Sequence, residues 1–350
     1  MKKLRASQLV YLAVSVFQMH DRSVVLAATE SASSGGVAAA PIPPPEEADV
    51  DTQHSIPQSF DAPFGTYPNL LEVTQDERES FSPVVFFPTV KSSSNKAKIN
   101  NIAIKDHTQS SGELASEKDI QQKRIHKSRN IWQKILTKIL PNDSMLIDKR
   151  PWKDRWGIGK YDENRDGGMY NSDLFDDLDN TIDGYGGRRT VHLGIDLGGP
   201  VGTPVHAFCD GIVHSVGYNP ERGDYGYVVV VEHRWGDNKT CWALYGHLDE
   251  SVLTVNPKSN AHWIKKLVAI LVKKPKKLLK PGDSIQKGQV IGRMGDFDEN
   301  GGWIHSHLHF QLSTKPPDQP HDMPGASSVQ DRIEALRQYP DPRYVLGPLY

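Results

Sequence analysis

Short runs of β-branched and aromatic residues, each followed by a cluster of Gly, Asp or Asn, dominate the chain beyond Trp152. Such runs bounded by turn residues are typical of β-strands joined by short connections. They predict a mainly β domain, an antiparallel sandwich or partly open barrel. The polar segment from Arg234 to Lys239 predicts a hairpin loop. The main strand candidates are Thr203 to Ala207, Gly211 to Val216, Tyr227 to Glu232, Cys241 to Tyr245 and Val290 to Arg293.

Composition changes along the 350 residues and indicates how the chain is organised. A basic start and an apolar stretch from Leu9 to Phe17 indicate a signal peptide, although Asp21 and Arg22 leave a start without targeting function as the alternative. Ala, Ser, Pro and Gly are abundant in the region that follows, which predicts a disordered linker. Helical spacing of apolar residues before Pro141 predicts an accessory helical segment. The expected segments are a signal peptide at 1–28, a linker at 29–112, a helical accessory segment at 113–150, the β domain at 151–315 with an insertion at 256–280, and a C-terminal tail at 316–350.

Charge and cysteine content limit the classes of function. The formal net charge is −2 at pH 7, so the chain as a whole has no electrostatic reason to bind nucleic acid. Only Cys209 and Cys241 occur, which excludes a disulfide framework and a Cys-ligated zinc finger. The two thiols either pair or are buried as small apolar residues, and the sequence leaves this open. Any metal must therefore be held by His and carboxylate side chains.

Three short motifs supply such ligands in the β domain. His192 and Asp196 are four residues apart, a spacing that places both side chains on one face of a strand. His247 follows Tyr and Gly at the exit of a strand candidate. His307 and His309 alternate, so one strand would present both imidazoles on one face while Leu308 and Phe310 pack into the core. A zinc site that hydrolyses a bond needs three protein ligands and one open position, and these residue types can provide them.

A single His in a β protein is more often structural than a metal ligand. The joint pattern of the three motifs favours the metal interpretation. The helical H-E-x-x-H pattern of other zinc proteases does not occur. Four further histidines of the domain are interpreted as packing or surface residues, with His305 the strongest exception because it precedes the last motif: His206, His214, His233 and His305.

The order of the motifs, H-x(3)-D, then Y-G-H-L, then H-L-H-F, resembles the lysostaphin/LytM-type zinc metallopeptidases over Trp156 to Ser313. The resemblance implies the duplicated hybrid motif fold and a Zn²⁺ ion bound by His192, Asp196 and His309. It also implies that His247 and His307 are the catalytic pair, without saying which of them is the base. The substrates it implies are the cross-bridges or stem peptides of peptidoglycan. Hydrolysis of peptide bonds by a secreted or cell-envelope enzyme is therefore expected.

Two functions from other classes are weighed against the enzyme. A catalytically silent envelope regulator would use the groove to bind and activate another hydrolase, but such proteins typically lose ligands, and here all five positions are filled. A carrier or phosphotransfer module would need a reactive His without the Asp ligand, and Asp196 speaks against it. An accessory region ahead of the domain could cover the groove and impose latency, which is a hypothesis from its position. Oligomeric state is left open.

Two further features have functional and plain interpretations. The insertion at 256–280 combines an apolar stripe with many lysines, so it could contact an anionic membrane or wall polymer, but packing of the stripe on the domain is favoured. The loops Asp162 to Gly167 and Asp296 to Gly301 resemble the openings of calcium loops. Neither has the bidentate Glu at the twelfth position, so polar turns are the favoured interpretation.

Overall fold

The computed structural model describes residues 55–90, 98–99, 103–105, 107–108, 114–115, 156–170, 172–176, 187–253 and 278–350. All of them lie in the unit Asp51–Tyr350. The expected signal peptide, nearly all of the accessory helical segment and most of the basic insertion fall outside the described residues. Those three expectations remain predictions.

An open, mostly antiparallel sheet carries the site. Its order is β11-β8-β9-β10-β13-β6-β4-β3, and all neighbours are antiparallel except β3 and β4. The predicted mainly β, antiparallel fold is confirmed, and the described strands do not close into a barrel. The strands are β1 Thr89–Val90, β2 Lys98–Ile99, β3 Ala103–Ile104, β4 Gly157–Gly159, β5 Arg189–His192, β6 Ile195–Gly198, β7 Pro204–His206, β8 Gly211–Asn219, β9 Gly226–Trp235, β10 Lys239–Leu248, β11 Ser284–Ile285, β12 Val290–Arg293, β13 His307–Ser313 and β14 Ala326–Ser328. Three two-stranded pairs complete the arrangement: β1 with β2, β7 with β12, and β5 with β14.

The longest strands form where the sequence has β-branched runs. In β9, Val228 to Val231 are all fully buried, because this strand lies inside the sheet between β8 and β10. The predicted hairpin loop is present between β9 and β10. Gly236 and Asn238 have φ values of 50° and 70°, a left-handed conformation that Gly and Asn adopt more easily than other residues.

Helices are short in the described part of the chain. They are α1 Gln75–Ser80, α2 Arg332–Gln338 and α3 Arg343–Leu346, with 3-10 turns at Asp173–Phe175 and Glu250–Val252. Thr74 and Glu77 form a capping box at the start of α1. Among these residues no helix combines the length and apolar character that crossing a bilayer requires.

Residues 55–88 differ from the disordered linker that the sequence suggests. Ile56, Tyr67, Leu71 and Val84 are buried in the main core, and the backbone N–H of Ser82 donates to the carbonyl of Phe208 at 2.8 Å. The apolar residues of this segment sit in turns and extended chain, so they show neither a helical nor a strand period. We call residues 55–88 the N-terminal strap.

The segment expected to be a tail is also folded onto the domain. β14, α2 and α3 lie within residues 316–350, and Ala335, Leu336 and Val345 are buried in the main core. Two buried ion pairs involve these helices, and the first of them joins α2 to a residue outside the C-terminal segment. Arg332 pairs with Asp162, and Arg343 pairs with Asp341 at 2.8 Å.

Candidate metal centre

The sheet brings the three motifs together. β13 lies between β10 and β6, so His309 is opposite Asp196 on one side and Gly246 on the other. Because β13 alternates, His307 and His309 share one face, while Leu308 and Phe310 are buried in the core as expected. The strand order therefore places residues from distant parts of the chain at one point.

The first motif is bent rather than carried on a single strand. His192 ends β5 and Asp196 lies in β6, with Leu193 and Gly194 between the two strands. A Cβ at position 194 would lie 2.6 Å from ring atoms of His309. Only glycine leaves room for the imidazole of His309 at this bend, and the bend turns His192 towards Asp196.

Three ligand atoms form a small triangle. Nε2 of His192 lies 3.1 Å from Nδ1 of His309 and 3.2 Å from Oδ1 of Asp196, and Nδ1 of His309 lies 3.2 Å from the same oxygen. Ligand atoms about 2.0–2.1 Å from a tetrahedral zinc ion lie about 3.3–3.4 Å from one another. The triangle therefore has nearly the dimensions of one face of a zinc tetrahedron, and all three side chains are buried.

Each candidate ligand has its other polar atom engaged. Nδ1 of His192 donates to the carbonyl of Lys160 at 2.7 Å, and Nε2 of His309 donates to Oε1 of Gln311 at 2.9 Å. Oδ2 of Asp196 accepts from Nη2 of Arg165 at 2.8 Å. Such contacts fix the tautomers, so that Nε2 of His192, Nδ1 of His309 and Oδ1 of Asp196 are the atoms available to an ion.

Protonation favours metal binding at this site. Burial and the nearby guanidinium of Arg165 lower the pKa of His192 to about 4. Burial raises the pKa of Asp196, but its interactions with His192 and with the guanidinium of Arg165 hold it well below its usual range. At neutral pH the imidazole therefore has a free lone pair and the carboxylate is ionised, which are the forms that ligate metals.

The expected catalytic pair lies beside the triangle. The ring centroids of His247 and His307 are 4.4 Å apart, and Nε2 of His307 is 3.9 Å from Oδ1 of Asp196. His247 has a φ of 61°, a conformation that is costly for a non-glycine residue and is often retained at functional sites. Its Nδ1 donates to the carbonyl of Asn300 at 2.8 Å, and Nδ1 of His307 donates to the carbonyl of His305 at 2.7 Å.

A groove open to solvent is lined by four of these five side chains. Asp196, His247, His307 and His309 line it together with Arg165. Burial, followed by electrostatic interaction with the neighbouring His307 and His309, holds the pKa of His247 well below its usual range, so this imidazole is neutral at neutral pH. The structure thus brings together all five side chains that the sequence selects.

Residues 190–262 match the model of peptidase family M23. This range includes His192, Asp196 and His247. This part of the chain is therefore similar to M23 peptidases, and we call the β domain that contains the match the M23 domain. The predicted resemblance is thereby confirmed.

Known proteins that are similar to this chain include peptidases. The M23 domain is similar to peptidoglycan DD-endopeptidase ShyC of Vibrio cholerae, with 28% identity over 126 residues, which is 36% of this chain and 21% of that protein. The match therefore spans about a fifth of the relative's length.

Solved structures that resemble the M23 domain include a variant catalytic domain of the prophage-encoded M23 protein EnpA from Enterococcus faecalis. That domain is 25% identical, with 38% of this chain and 76% of that chain covered and a TM-score of 0.24. The catalytic domain of lysostaphin from Staphylococcus simulans is 22% identical, with 45% and 80% covered and a TM-score of 0.25.

Other histidines of the M23 domain have partners outside the triangle. Nδ1 of His206 donates to the carbonyl of Gly288 at 3.0 Å, and Nε2 of His233 lies 2.8 Å from the hydroxyl of Tyr245. His214 lies on β8, with Nδ1 3.3 Å from the hydroxyl of Ser215. These positions agree with packing and surface roles. His305, the possible exception, contributes its carbonyl to His307.

Sequence reasoning missed Arg165 and Gln311. Gln311 is two residues beyond His309, so strand alternation alone places it on the same face and could have identified it. Arg165 lies in a loop, and its contact with Asp196 spans 31 residues, which no local pattern reports.

The two acidic loops are engaged with protein groups. Asp162 accepts from Tyr67 at 2.6 Å and from Arg332 at 2.6 Å, and Glu163 accepts from Arg165 at 3.0 Å. Oδ1 of Asp296 accepts from the backbone N–H of Phe297 at 2.8 Å. These contacts favour the polar-turn interpretation.

The two cysteines are free thiols and are buried, in keeping with small apolar residues. Burial raises the pKa of Cys209 to about 12, so this thiol stays protonated at neutral pH.

Proposed function

We propose that this chain is a zinc-dependent metalloendopeptidase that hydrolyses peptide bonds in peptidoglycan cross-bridges or stem peptides. The observation that carries the proposal is the triangle of His192, Asp196 and His309 with a pair of histidines beside it in an open groove. The similarity to a peptidoglycan DD-endopeptidase supports the substrate class. Such a substrate places the enzyme in the cell envelope or outside the cell.

His192, Asp196 and His309 would hold the ion through three protein ligands, which is the number found in hydrolytic zinc sites. Bound zinc supplies Lewis-acid polarisation of the scissile carbonyl and lowers the pKa of water. The carbonyl of Lys160 and the buried side chains of Gln311 and Arg165 orient the ligands before any ion arrives, which reduces the cost of assembling the site.

His247 and His307 move the proton. With Nδ1 of each ring donating to a carbonyl, the neutral imidazole has its lone pair at Nε2 and can accept a proton from water as it adds to the peptide carbonyl. The resulting imidazolium stabilises the negative oxygen beside it. It then returns the proton to the amine nitrogen as the C–N bond breaks.

Metal content and product release measured on the same variants test these roles. We expect His309→Ala to lose bound zinc, because one ligand is gone, and to lose hydrolysis with it. We expect His247→Ala to keep zinc while kcat falls by about two to four powers of ten, as removal of a general base does. Elemental analysis gives the zinc, and mass spectrometry of muropeptides released from purified peptidoglycan gives the activity. His214→Ala, which changes a histidine outside the triangle, is the control and should match the parent chain in both measurements.

Digestion of peptidoglycan by both site variants at the rate of the parent chain would refute the assigned roles. A parent chain that binds zinc but releases no muropeptide would instead favour the silent regulator.

A further inference from the structure

Arg165 stands out among the residues of the groove because its charged group is almost wholly enclosed. Its side chain is 2% exposed, and the backbone N–H donates to the carbonyl of Thr190 at 2.8 Å, which ties the loop to β5. A buried guanidinium is costly unless each of its N–H groups has a partner. The groups that accept hydrogen bonds from the guanidinium therefore indicate the role of Arg165.

Three side chains accept hydrogen bonds from the guanidinium. Nε donates to Oε2 of Glu163 at 3.0 Å, Nη1 donates to the hydroxyl of Tyr170 at 3.0 Å, and Nη2 donates to Oδ2 of Asp196 at 2.8 Å. Glu163 and Tyr170 thus hold Nε and Nη1 of the planar guanidinium in place. The remaining arm is directed at the carboxylate of the candidate metal ligand.

The two oxygens of the Asp196 carboxylate thus have different partners. Oδ2 faces the guanidinium, whereas Oδ1 lies 3.2 Å from the ligand nitrogens of both His192 and His309. Nη2 is also 2.8 Å from Nδ1 of His192, but that nitrogen carries the proton donated to the carbonyl of Lys160 when Nε2 faces the ion. Hence the arm of Arg165 acts on Asp196.

We propose that Arg165 is a positioning residue that reserves one oxygen of Asp196 for the metal and prevents the carboxylate from binding through both. The inference rests on the proposed metal site. One coordination position then stays open for water and substrate, as hydrolytic zinc sites require. The guanidinium also withdraws charge from the carboxylate, which makes the bound ion a stronger Lewis acid.

Cobalt substitution reads out the coordination directly, because the visible absorption of Co²⁺ is stronger in four-coordinate than in five-coordinate sites. The full chain and Arg165→Met are loaded with Co²⁺ and compared. We expect the visible band of Arg165→Met to lose intensity and shift, because Oδ2 is released to bind the ion. We also expect kcat of the zinc-loaded variant to fall roughly 10- to 100-fold, the size of effect typical for partners of metal ligands.

A second buried guanidinium provides the matched control. Arg343 is paired with Asp341, and both side chains are fully buried. Arg343→Met should lower the thermal midpoint yet leave the Co²⁺ band of the parent chain unchanged. A changed band in this control would overturn the proposal, because loss of any buried ion pair would then suffice.

The remaining outcomes distinguish failure of the proposed metal site from failure of the role given to Arg165. If the parent chain shows no Co²⁺ band, the metal site itself fails. If the parent shows the band and Arg165→Met has the same one, only the role of Arg165 is refuted. Should Arg165→Met not fold, the double variant with Glu163→Gln decides in the same way, because it removes the buried charge of Glu163 that the lost cation would otherwise leave unpaired.

Discussion

At the residue scale, Gln311 shows how a neutral side chain can orient a candidate metal ligand. It is fully buried, its Oε1 accepts from Nε2 of His309 at 2.9 Å, and its Nε2 donates to the carbonyl of Pro324 at 3.0 Å. The second contact fixes the orientation of the amide, so that oxygen faces the imidazole. His309 therefore has its proton on Nε2 and its lone pair on Nδ1, towards Asp196.

We predict that Gln311→Leu weakens zinc binding by roughly 10- to 100-fold, because the tautomer and ring orientation of His309 are no longer held. Competition with a chromogenic chelator measures the dissociation constant. Gln289→Leu changes an exposed-turn glutamine outside the groove and is the control. An unchanged zinc affinity in Gln311→Leu would show that packing alone orients His309.

At the element scale, the main strands and the candidate site residues could be predicted from the sequence. The way in which the strands bring these residues together could not. Runs of β-branched residues bounded by turn residues identified β7 to β10 and β12, and alternation gave the side-chain order of β13. The bend at Gly194 could not be foreseen, because it exists to make room for His309, which is 115 positions further along the chain. Likewise, the N-terminal strap lacks a period, since its apolar residues lie in turns.

A short β-bridge connects the region before the M23 domain to the groove. Leu114 pairs with Trp303, and the backbone N–H of Ala115 donates to the carbonyl of Gly302 at 2.7 Å. Trp303 lies with its ring centroid 6.0 Å from those of both His247 and His307. Leu114 thus supports Trp303 beside the proposed catalytic pair His247 and His307.

We predict that Leu114→Ala costs about 2 to 3 kcal/mol of stability through the cavity it leaves, and that it also lowers kcat, because Trp303 gains freedom next to both imidazoles. Urea unfolding and muropeptide release are the measurements. Leu253→Ala, at a leucine that is 39% exposed, should change neither. A loss of stability without a change in kcat would mean that Trp303 does not position the pair.

At the scale of the whole molecule, the N-terminal strap and the helices α2 and α3 pack together on the main core. Arg332 donates to the carbonyls of Pro57 and Ser59 at 2.8 and 3.0 Å, and Arg343 donates to the carbonyl of Ala62 at 3.0 Å. Tyr67 donates to Asp162, whose backbone N–H donates to the carbonyl of His192 at 2.9 Å. The strap is therefore connected to the metal site through Asp162.

This arrangement decides how the latency hypothesis has to be tested. A chain that starts at residue 91 removes three carbonyl acceptors from buried arginines, each worth roughly 1–3 kcal/mol when lost, and exposes the apolar residues under the strap. Domain stabilities are only about 5–15 kcal/mol, so we predict that this chain fails to unfold cooperatively, whereas one that starts at residue 55 unfolds as the parent does. Calorimetry compares the two chains. A cooperative transition in the chain that starts at residue 91 would contradict the role given to the strap.

Loss of activity in that shorter chain would reflect unfolding, so it cannot test latency. Latency has to be judged from an internal deletion of residues 116–150 with the strap retained, and a higher kcat in that deletion would support it.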